Sequence, residues 1–274
     1  RVLQDLQQAW GLNVSGWVAG GECDLAYHVF CDDQGMVTYI FLDDNALSGS
    51  IPSTIGRMSS LETLSLYDNS LSGSIPSTIG SLSNLESLSL WNNKLNGSIP
   101  STIGSMSNLA HLILDHNSLS GSIPSAIGNM RNLFWLYLNH NALTGSIPST
   151  IGNMTNLQDF DVSQNNLTGQ LPPTIGNLKL LSYLDISQNN LTGQLPPTIG
   201  SLTHLSYLDI SQNNLTGQLP PAIGSLTNLT YLNMSSTAIT CPPDYRSCVV
   251  PQTTSSAFCS QCGSFCTTCD KPPP

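Results

Sequence analysis

The chain has 274 residues, and only 9% of them are charged, compared with about 25% in ordinary soluble domains. Seventeen acids and seven bases give a net charge of −10, and the bases are scattered singly along the chain, which excludes a basic nucleic-acid-binding surface. Gly, Ser or Asn interrupts every apolar run, so no stretch reaches the roughly 20 apolar residues of a membrane-spanning helix. Ser, Thr, Asn, Gln and attached sugars must therefore solvate the surface.

An amphipathic segment opens the chain, with the sequence Arg1-Val-Leu-Gln-Asp-Leu-Gln-Gln-Ala-Trp10. This pattern predicts a helix with one apolar face. Trp17, Cys23 and Cys31 follow before the repeats begin. We expect residues 1–36 to form a terminal unit distinct from the repeats.

A strict internal repeat fills residues 37–240. Nine segments at a strict 24-residue spacing, each close to LxxLxLxxNxLxGxIPxxIGxLxx, follow one another without an insertion. They start at Val37, Leu61, Leu85, Leu109, Leu133, Leu157, Leu181, Leu205 and Leu229. The ninth position is Asn from Asn45 to Asn213, and Thr237 replaces it in the last segment. A fixed period of this kind predicts a solenoid with one coil per repeat.

The residue types within one repeat predict its conformation. The LxL alternation predicts a short strand with both leucines inward, and neighbouring coils join these strands into a parallel sheet. The stacked Asn residues are predicted to satisfy backbone groups of the loops, because an Asn side chain both donates and accepts hydrogen bonds. Gly at position 13 (Gly49 to Gly217) and in the IG pair (Gly56 to Gly224) predicts positive φ or close backbone approach. Pro at position 16 (Pro52 to Pro220) predicts an extended segment on the convex side.

Glycosylation signals are frequent in and around the repeats. Eight N-x-[ST] sequons occur, at Asn13, Asn96, Asn153, Asn166, Asn190, Asn214, Asn228 and Asn233. Three of them (Asn166, Asn190 and Asn214) recur at position 10 and are predicted to lie in register along one flank, although they also belong to the repeat consensus. We expect an extracellular, N-glycosylated protein.

Side chains that point away from the core are expected at positions 2, 3, 5, 7 and 8 of each repeat, on the exposed face of the sheet. An aromatic patch is predicted there from the second to the fifth repeat. Its members are Tyr67, Trp91, His111, His116, Phe134, Trp135, Tyr137 and His140. Exposed aromatic rings on a rigid sheet suit a sugar ring or the apolar anchor of a partner protein.

A column of carboxylates is predicted beside this patch, at position 5 of repeats six to eight, formed by Asp161, Asp185 and Asp209. Asp159 flanks it, and a tyrosine column at position 3 comprises Tyr183, Tyr207 and Tyr231. Stacked carboxylates raise one another's pKa unless a cation or a donor bridges them. Calcium, an amine or sugar hydroxyls would serve as the bridge, but near-identical copying of repeats seven and eight also explains the column.

Catalytic arrangements are not evident. The acids have a spacing compatible with a retaining glycosidase, but no insertion builds a pocket that would separate their pKa values. His116 and His140 beside Asp115 resemble a metal pair, yet two exposed histidines are more often ordinary surface. We therefore predict a non-enzymatic protein without a metal or a cofactor.

Eight cysteines lie outside the repeats, at Cys23, Cys31, Cys241, Cys248, Cys259, Cys262, Cys266 and Cys269. The last four form two CxxC pairs, which would also suit zinc. Only three residues separate these pairs, against about 12 or more in zinc sites, and the even count favours disulfides.

The repeat resembles the plant-type extracellular leucine-rich repeat, whose signature is LxGxIPxxIGxLxxL. The resemblance implies an α/β solenoid, a right-handed superhelix of nine coils with a parallel concave sheet and disulfide-stapled caps. Residues 1–36 would be the N-terminal cap, 37–240 the repeats, and 241–274 a cysteine-rich C-terminal cap with the start of a proline-rich tail. We expect Cys23 to pair with Cys31 and Cys241 with Cys248.

The same resemblance implies a recognition function, as in receptor ectodomains and inhibitors of polygalacturonases. The concave face would bind a protein or a cell-wall polysaccharide. A different hypothesis is a self-associating structural subunit of a wall, matrix or fibril, which the copied repeats and the final Lys271-Pro-Pro-Pro274 favour. A third is ice binding through the column of Thr144, Thr168, Thr192 and Thr216.

Overall fold

The structure is a computed structural model that describes residues 2–10 and 28–240. The amphipathic segment forms a helix, α1 (Val2–Trp10). Leu6 and Trp10 are buried, and the indole N–H of Trp10 donates to the Ser50 carbonyl at 3.1 Å. The helix therefore covers the open end of the first coil with its apolar face.

Nineteen strands lie within the described residues, and from β2 onward they alternate in chain order between two sheets. They are β1 (Val29–Cys31), β2 (Val37–Phe41), β3 (Ser48–Gly49), β4 (Thr63–Ser65), β5 (Ser70–Ser74), β6 (Ser87–Ser89), β7 (Lys94–Ser98), β8 (His111–Ile113), β9 (Ser118–Ser122), β10 (Trp135–Tyr137), β11 (Ala142–Gly145), β12 (Asp159–Asp161), β13 (Asn166–Gly169), β14 (Tyr183–Asp185), β15 (Asn190–Gly193), β16 (Tyr207–Asp209), β17 (Asn214–Gln218), β18 (Tyr231–Asn233) and β19 (Ala238–Thr240).

The first sheet has the order β1-β2-β4-β6-β8-β10-β12-β14-β16-β18 among the described residues. Strand β1 is antiparallel to β2, and the nine strands from β2 to β18 are parallel and in register at 24-residue steps, for example His111 beside Trp135 and Trp135 beside Asp159. This is the predicted concave sheet of a solenoid, and we call it the concave sheet below.

A second parallel sheet runs along one flank, with the order β19-β17-β15-β13-β11-β9-β7-β5-β3 among the described residues. The sequence argument did not predict it. It forms because positions 10 to 14 of each coil are extended around a buried leucine or isoleucine, and the glycine at position 13 adopts φ between 73° and 85° from Gly49 to Gly217. The predicted need for positive φ is confirmed there.

The convex side consists of short 3₁₀ helices. They span Ser53–Arg57, Ser77–Ser81, Ser101–Ser105, Ser125–Asn129, Ser149–Asn153, Pro173–Asn177, Pro197–Ser201 and Pro221–Ser225. The proline before each is extended, as predicted, with φ from −64° to −73°. A methyl group on Gly176 would lie 2.5 Å from the carbonyl oxygen of Thr198 in the next coil. The IG glycine is therefore required by the close stacking of coils.

The core is one continuous column of leucine, isoleucine and methionine, with Phe160 buried at the centre. The Asn residues at position 9 form a column beside this core, and their side chains make the predicted hydrogen bonds to backbone groups. Asn189 Nδ2 donates to the carbonyls of Val162, Ile186 and Ser187, and its Oδ1 accepts the backbone N–H of Leu167 at 2.9 Å. Each Asn thus connects two coils and rigidifies the face that they carry. No helix within residues 2–10 and 28–240 is long and apolar enough to cross a bilayer.

Candidate ligand-binding surface

Every coil presents the same repeat positions on the solvent side of the concave sheet. Positions 1, 4 and 6 are buried, so positions 2, 3, 5, 7 and 8 supply the surface. Position 8 ends this segment with left-handed backbone, at φ from 50° to 57° between Asp44 and Ser236. Asp, Asn and His tolerate this conformation better than most residues, and it holds His116 and His140 at the corner of their coils.

The predicted aromatic patch is organised as ring pairs between neighbouring coils. Tyr67 and Trp91 stack with centroids 5.0 Å apart. The ring of His111 lies 4.3 Å from Trp135 and 6.5 Å from Phe134. Phe134 and Trp135 are 36% and 39% exposed. Coils four and five therefore hold a rigid apolar surface open to solvent.

Two histidines of this patch, His111 and His140, have a lowered pKa. Burial lowers the pKa of His111. Burial also lowers the pKa of His140, and the nearby His116, whose ring stacks on it at 3.9 Å, lowers it further. Two stacked imidazolium ions would repel each other, so a neutral His140 is the form that favours this packing.

Tyr137 is half-buried and serves the surface differently from the other rings. Its hydroxyl donates to Asp159 Oδ2 at 2.9 Å, and Asp159 Oδ1 accepts from the hydroxyl of Ser182 at 3.0 Å. Burial, followed by the hydrogen bond to Asp159, raises the pKa of Tyr137. This phenol therefore stays protonated and holds the two coils together.

The expected exposure of the carboxylate column is wrong for two of its three members. Asp185 and Asp209 are only 8% and 6% exposed, whereas Asp161 is partly open. Oδ1 of each accepts the backbone N–H two residues further on at 2.9 Å. Asn233 Nδ2 donates to Asp209 at 2.9 Å. Asp185 and Asp209 are therefore satisfied by donors of the chain itself and are not open ligand groups.

The tyrosine column explains why these acids are covered. The rings of Tyr183, Tyr207 and Tyr231 stack in succession, with centroids 4.4 Å and 4.3 Å apart. The hydroxyl of Tyr231 lies 3.4 Å from Asp209 Oδ2, and that of Tyr183 lies 3.5 Å from Asp185 Oδ2. A stack of rings at position 3 thus shields position 5 from water.

Burial is the main cause of the altered acidity in this column. It raises the pKa of Asp161 to about 6, and the carboxylates of Asp185 and Asp115 add to the effect. Burial likewise raises the pKa of Asp185, with a smaller contribution from Asp209. The predicted mutual repulsion is present, but desolvation by the protein outweighs it.

A depression lies between the aromatic patch and Asp161, which is the partly open member of the carboxylate column. It has a volume of about 260 Å³ and is lined by Asp115, Tyr137, Asn139, Asp161 and Tyr183. We call it the concave depression. The sequence argument considered Asp115 only as a neighbour of His116 and did not single out Asn139. Their signal was the repeat position, because both occupy position 7, which faces the concave side.

Charge is segregated between the faces of the solenoid. Within residues 37–240 all ten acids occupy positions 2 to 8, on or beside the concave sheet. These acids are Asp43, Asp44, Glu62, Asp68, Glu86, Asp115, Asp159, Asp161, Asp185 and Asp209. The four bases of the same range, Arg57, Lys94, Arg131 and Lys179, lie at other positions. The concave side therefore carries fixed negative charge and no lysine or arginine.

No three His, Cys, Asp or Glu side chains within the described ranges cluster so that they could hold a metal ion. His116 Nδ1 instead lies 2.9 Å from Asp115 Oδ2. Asp115 and His116 thus form a hydrogen-bonded pair within one coil, and His116 and His140, the histidines considered above as a metal pair, stack on each other.

Sequons fall on several surfaces. Asn166, Asn190 and Asn214 are exposed at the starts of β13, β15 and β17, in adjacent coils of the second sheet. Asn96, Asn153 and Asn228 are also exposed. Asn233 is partly buried on β18, where its amide donates to Asp209 and accepts from the Ser235 N–H. Asn13 lies outside the described residues.

Of the cysteines, only Cys31 lies within the described residues, and it is disulfide-bonded. Its expected partner Cys23 lies outside them, so that pairing stays a prediction. The other predicted disulfide residues, Cys241, Cys248, Cys259, Cys262, Cys266 and Cys269, also lie outside the described part, as does Trp17.

The threonine column at position 12 faces solvent on the second sheet. Thr144, Thr168, Thr192, Thr216 and Thr240 are all exposed. The hydroxyls of Thr192 and Thr240 donate to the carbonyls of Gly169 and Gly217 at 3.3 Å and 3.2 Å. This flank is thus a flat, regularly spaced hydroxyl surface, separate from the aromatic patch.

Comparison with known proteins agrees with this architecture. The sequence matches the family description "Leucine rich repeat" over residues 36–95 and 83–143, and "Leucine-rich repeat region" over residues 162–245. No curated protein sequence matches the chain.

Three solved structures illustrate the likeness. The ectodomain of the receptor kinase GASSHO1/SCHENGEN3 from Arabidopsis thaliana, in complex with CASPARIAN STRIP INTEGRITY FACTOR 2, is 33% identical with a TM-score of 0.81, over 87% of this chain and 30% of that one. The Arabidopsis receptor kinase HAESA, in complex with an IDA peptide hormone, is 34% identical with a TM-score of 0.77, over 87% and 41%. A plant ice-binding protein is 29% identical with a TM-score of 0.69, over 88% and 87%.

The chain spans less than half the length of these two receptor ectodomains, but nearly the whole of the ice-binding protein. The family matches and these likenesses show that the chain belongs to the leucine-rich repeat family, with repeats of the plant type.

Proposed function

We propose that the chain is a non-catalytic, extracellular recognition module that binds a peptide segment of a protein partner on the concave sheet at coils four and five. The observation that carries the proposal is the exposure of Phe134 and Trp135, side by side on a rigid sheet. Aromatic side chains held in place offer large contact area at low entropic cost, as binding hot spots do.

The surface of Trp135 that a bound partner would cover gives the size of its expected contribution to affinity. Its side chain is 39% exposed, so a partner that covers it removes about 100 Å² of mostly apolar surface from water. At about 25 cal/mol per Å² this contributes about 2 kcal/mol, or roughly thirtyfold in affinity. His111 packs behind the indole at 4.3 Å, so little ordering remains to oppose binding.

The comparisons with solved structures support a peptide as the class of partner. Two similar ectodomains, GASSHO1/SCHENGEN3 and HAESA, are described in complex with CASPARIAN STRIP INTEGRITY FACTOR 2 and with an IDA peptide hormone. Exposed sequons on the second sheet support an extracellular, glycosylated product, and a cell-wall polysaccharide is the competing ligand for the same aromatic rings.

Selection from a displayed library of random peptides tests the proposal. The intact chain is immobilised, in parallel with Trp135→Ala and with a matched control, Tyr39→Ala, whose ring is 37% exposed on the first coil. We expect enriched peptides that bind the native chain and Tyr39→Ala but lose roughly thirtyfold with Trp135→Ala.

Other results would reject the proposal. Binding on a glycan array, with no peptide enriched, would assign the patch to a polysaccharide. Large polymers in size-exclusion chromatography and negative-stain microscopy would support the structural, self-associating alternative.

Ice binding is the second candidate, because the exposed threonine column and a length-matched ice-binding relative favour it. A sugar on Asn190 would stand two residues from Thr192 on the same strand face and cover this surface. Thermal hysteresis and ice recrystallisation, measured before and after enzymatic deglycosylation, test this candidate. The measurements compare the native chain with Thr192→Tyr and with the exposed control Thr227→Tyr. Thr192→Tyr also destroys the Asn190 sequon, so the two variants are compared after deglycosylation. Activity that Thr192→Tyr removes and Thr227→Tyr keeps would favour ice binding, and no activity in either glycoform would exclude it.

A further inference from the structure

The concave depression offers hydrogen-bond acceptors without matching donors. Asp115 Oδ2 pairs with His116, but Asp115 Oδ1 is buried and has no hydrogen-bond partner in the part of the chain that the structure describes. An unpaired buried carboxylate oxygen is costly, and a cation held beside Asp115 offsets that cost.

The other lining groups add to the same polarity. The Tyr137 hydroxyl donates its proton to Asp159, which leaves its oxygen as an acceptor on the depression side. Asn139 Nδ2 contacts His140 Nδ1 at 3.1 Å, which engages one of its two N–H groups. Asp161 contributes the second carboxylate, with Oδ1 engaged by the Ser163 N–H. The two carboxylates repel an anionic group here.

Segregated charge is an independent indication of the ligand. All ten acids of residues 37–240 lie on or beside the concave sheet, and the four bases of that range lie elsewhere. A face of uniform sign attracts an oppositely charged partner and repels a like one. The ligand that fits this face is therefore cationic.

We propose that the concave depression binds the cationic side chain of an arginine or lysine in the peptide partner. Trp135, which lies on the same strand as Tyr137 of the depression, packs against a neighbouring residue of that peptide. This inference rests on the proposed function and names the chemistry of its ligand. A guanidinium or ammonium group in the depression lies beside the two carboxylates that line it, those of Asp115 and Asp161. A calcium ion needs six to eight oxygen ligands, and the depression offers two carboxylates.

The test is an NMR titration of the intact chain with blocked tripeptides. The probes are acetyl-Gly-Arg-Gly-amide, its lysine equivalent, and its citrulline equivalent, which keeps the shape of arginine but not the charge. The indole N–H signal of Trp135, assigned with Trp135→Phe, reports binding because Trp135 lies two residues from Tyr137 on β10.

Charge-removing variants locate the site. Asp115→Asn and Asp161→Asn keep the shape of each side chain, and Asp44→Asn, an exposed acid of the first coil, is the control with the same change in net charge. We expect saturable binding of the arginine and lysine peptides, at least about tenfold weaker binding of citrulline, and about tenfold loss in each depression variant. Asp44→Asn should stay within about twofold, because its charge is remote and screened.

The proposal is overturned if citrulline binds as well as arginine, if all three variants weaken binding equally, or if the cationic peptides produce no shift. It is also overturned if Ca²⁺ alone shifts the same signal and displaces the arginine peptide. If the tripeptides fail while library-selected peptides still require Trp135, the cationic anchor is rejected and the proposed function stands. If Trp135→Ala leaves peptide selection unchanged as well, both fail.

Discussion

Replacing Asp161 with Asn is expected to stabilise the fold at neutral pH. Burial raises the pKa of Asp161 to about 6, from an ordinary value of 3.8, with Asp185, Asp115 and the neighbouring phenols of Tyr137 and Tyr183 around it. The folded chain therefore holds this proton more tightly than the unfolded chain, and ionisation at higher pH opposes folding. A shift of about two units corresponds to about 3 kcal/mol. Because the group is partly open to water, we expect about 1 to 2 kcal/mol.

Urea unfolding followed by circular dichroism from pH 4 to pH 8 measures this effect. Asparagine can still accept the Ser163 N–H through its Oδ1, so the variant removes charge without removing the bond. The gain in unfolding free energy of Asp161→Asn should be near zero below pH 4, grow between about pH 4 and pH 6, and stay constant above. The exposed control Asp44→Asn should give a difference that does not change with pH in this way. Destabilisation at pH 7, or a gain independent of pH, would refute the reasoning.

Two further predictions concern the scaffold. Asn189→Ala removes four hydrogen bonds, two of them to the preceding coil, and should lower the free energy of unfolding by about 2 to 4 kcal/mol in urea, whereas the exposed neighbour Asn190→Ala should change it by less than about 0.5 kcal/mol. Equal effects would contradict the structural role of the column. Gly176→Ala places a methyl group 2.5 Å from the Thr198 carbonyl and should lower the midpoint of thermal unfolding, at a cost of about 1 to 3 kcal/mol. The exposed control Asn177→Ala should leave the midpoint nearly unchanged. An unchanged midpoint for Gly176→Ala would show that neighbouring coils can move apart at no cost in free energy.

The fold was predictable from sequence because each coil repeats the same residue pattern and therefore forms the same local structure. The LxL strand, the Asn at position 9 and the glycine at position 13 each have one main physical solution, and identical neighbours reinforce it. The second sheet was missed because positions 10 to 14 lack a strong alternation. Its strands form mainly because stacked coils bring backbone groups together at an offset of two positions, with Thr168 beside Asn190 and Thr192 beside Asn214.

The binding surface was only partly predictable. Repeat positions correctly brought Trp135 next to His111 and Tyr183 next to Tyr207. They could not predict burial of Asp185 and Asp209, because that depends on how tyrosine rings of several coils lean over position 5. The unpaired oxygen of Asp115 likewise depends on side-chain rotation, which a repeat pattern does not encode.

The buried carboxylate and the proposed ligand are physically connected. Asp161 is held in an environment that disfavours its charge, and a cation in the concave depression would offset that penalty. Binding of a cationic peptide should therefore weaken as pH falls through about 6, when Asp161 takes up a proton. The same carboxylate would then lower stability and provide affinity, as many functional groups do.

The central claim is that a peptide binds the concave sheet at the aromatic rings of coils four and five and at the concave depression beside them, and photo-crosslinking tests it most directly. A peptide selected on the intact chain carries a benzophenone beside its basic residue, and the attached residues are read by mass spectrometry. We predict attachment to strands β8 to β14 of the concave sheet, lost when the unlabelled peptide competes. Attachment to the threonine flank or to the convex 3₁₀ helices, with the same competition, would contradict the account.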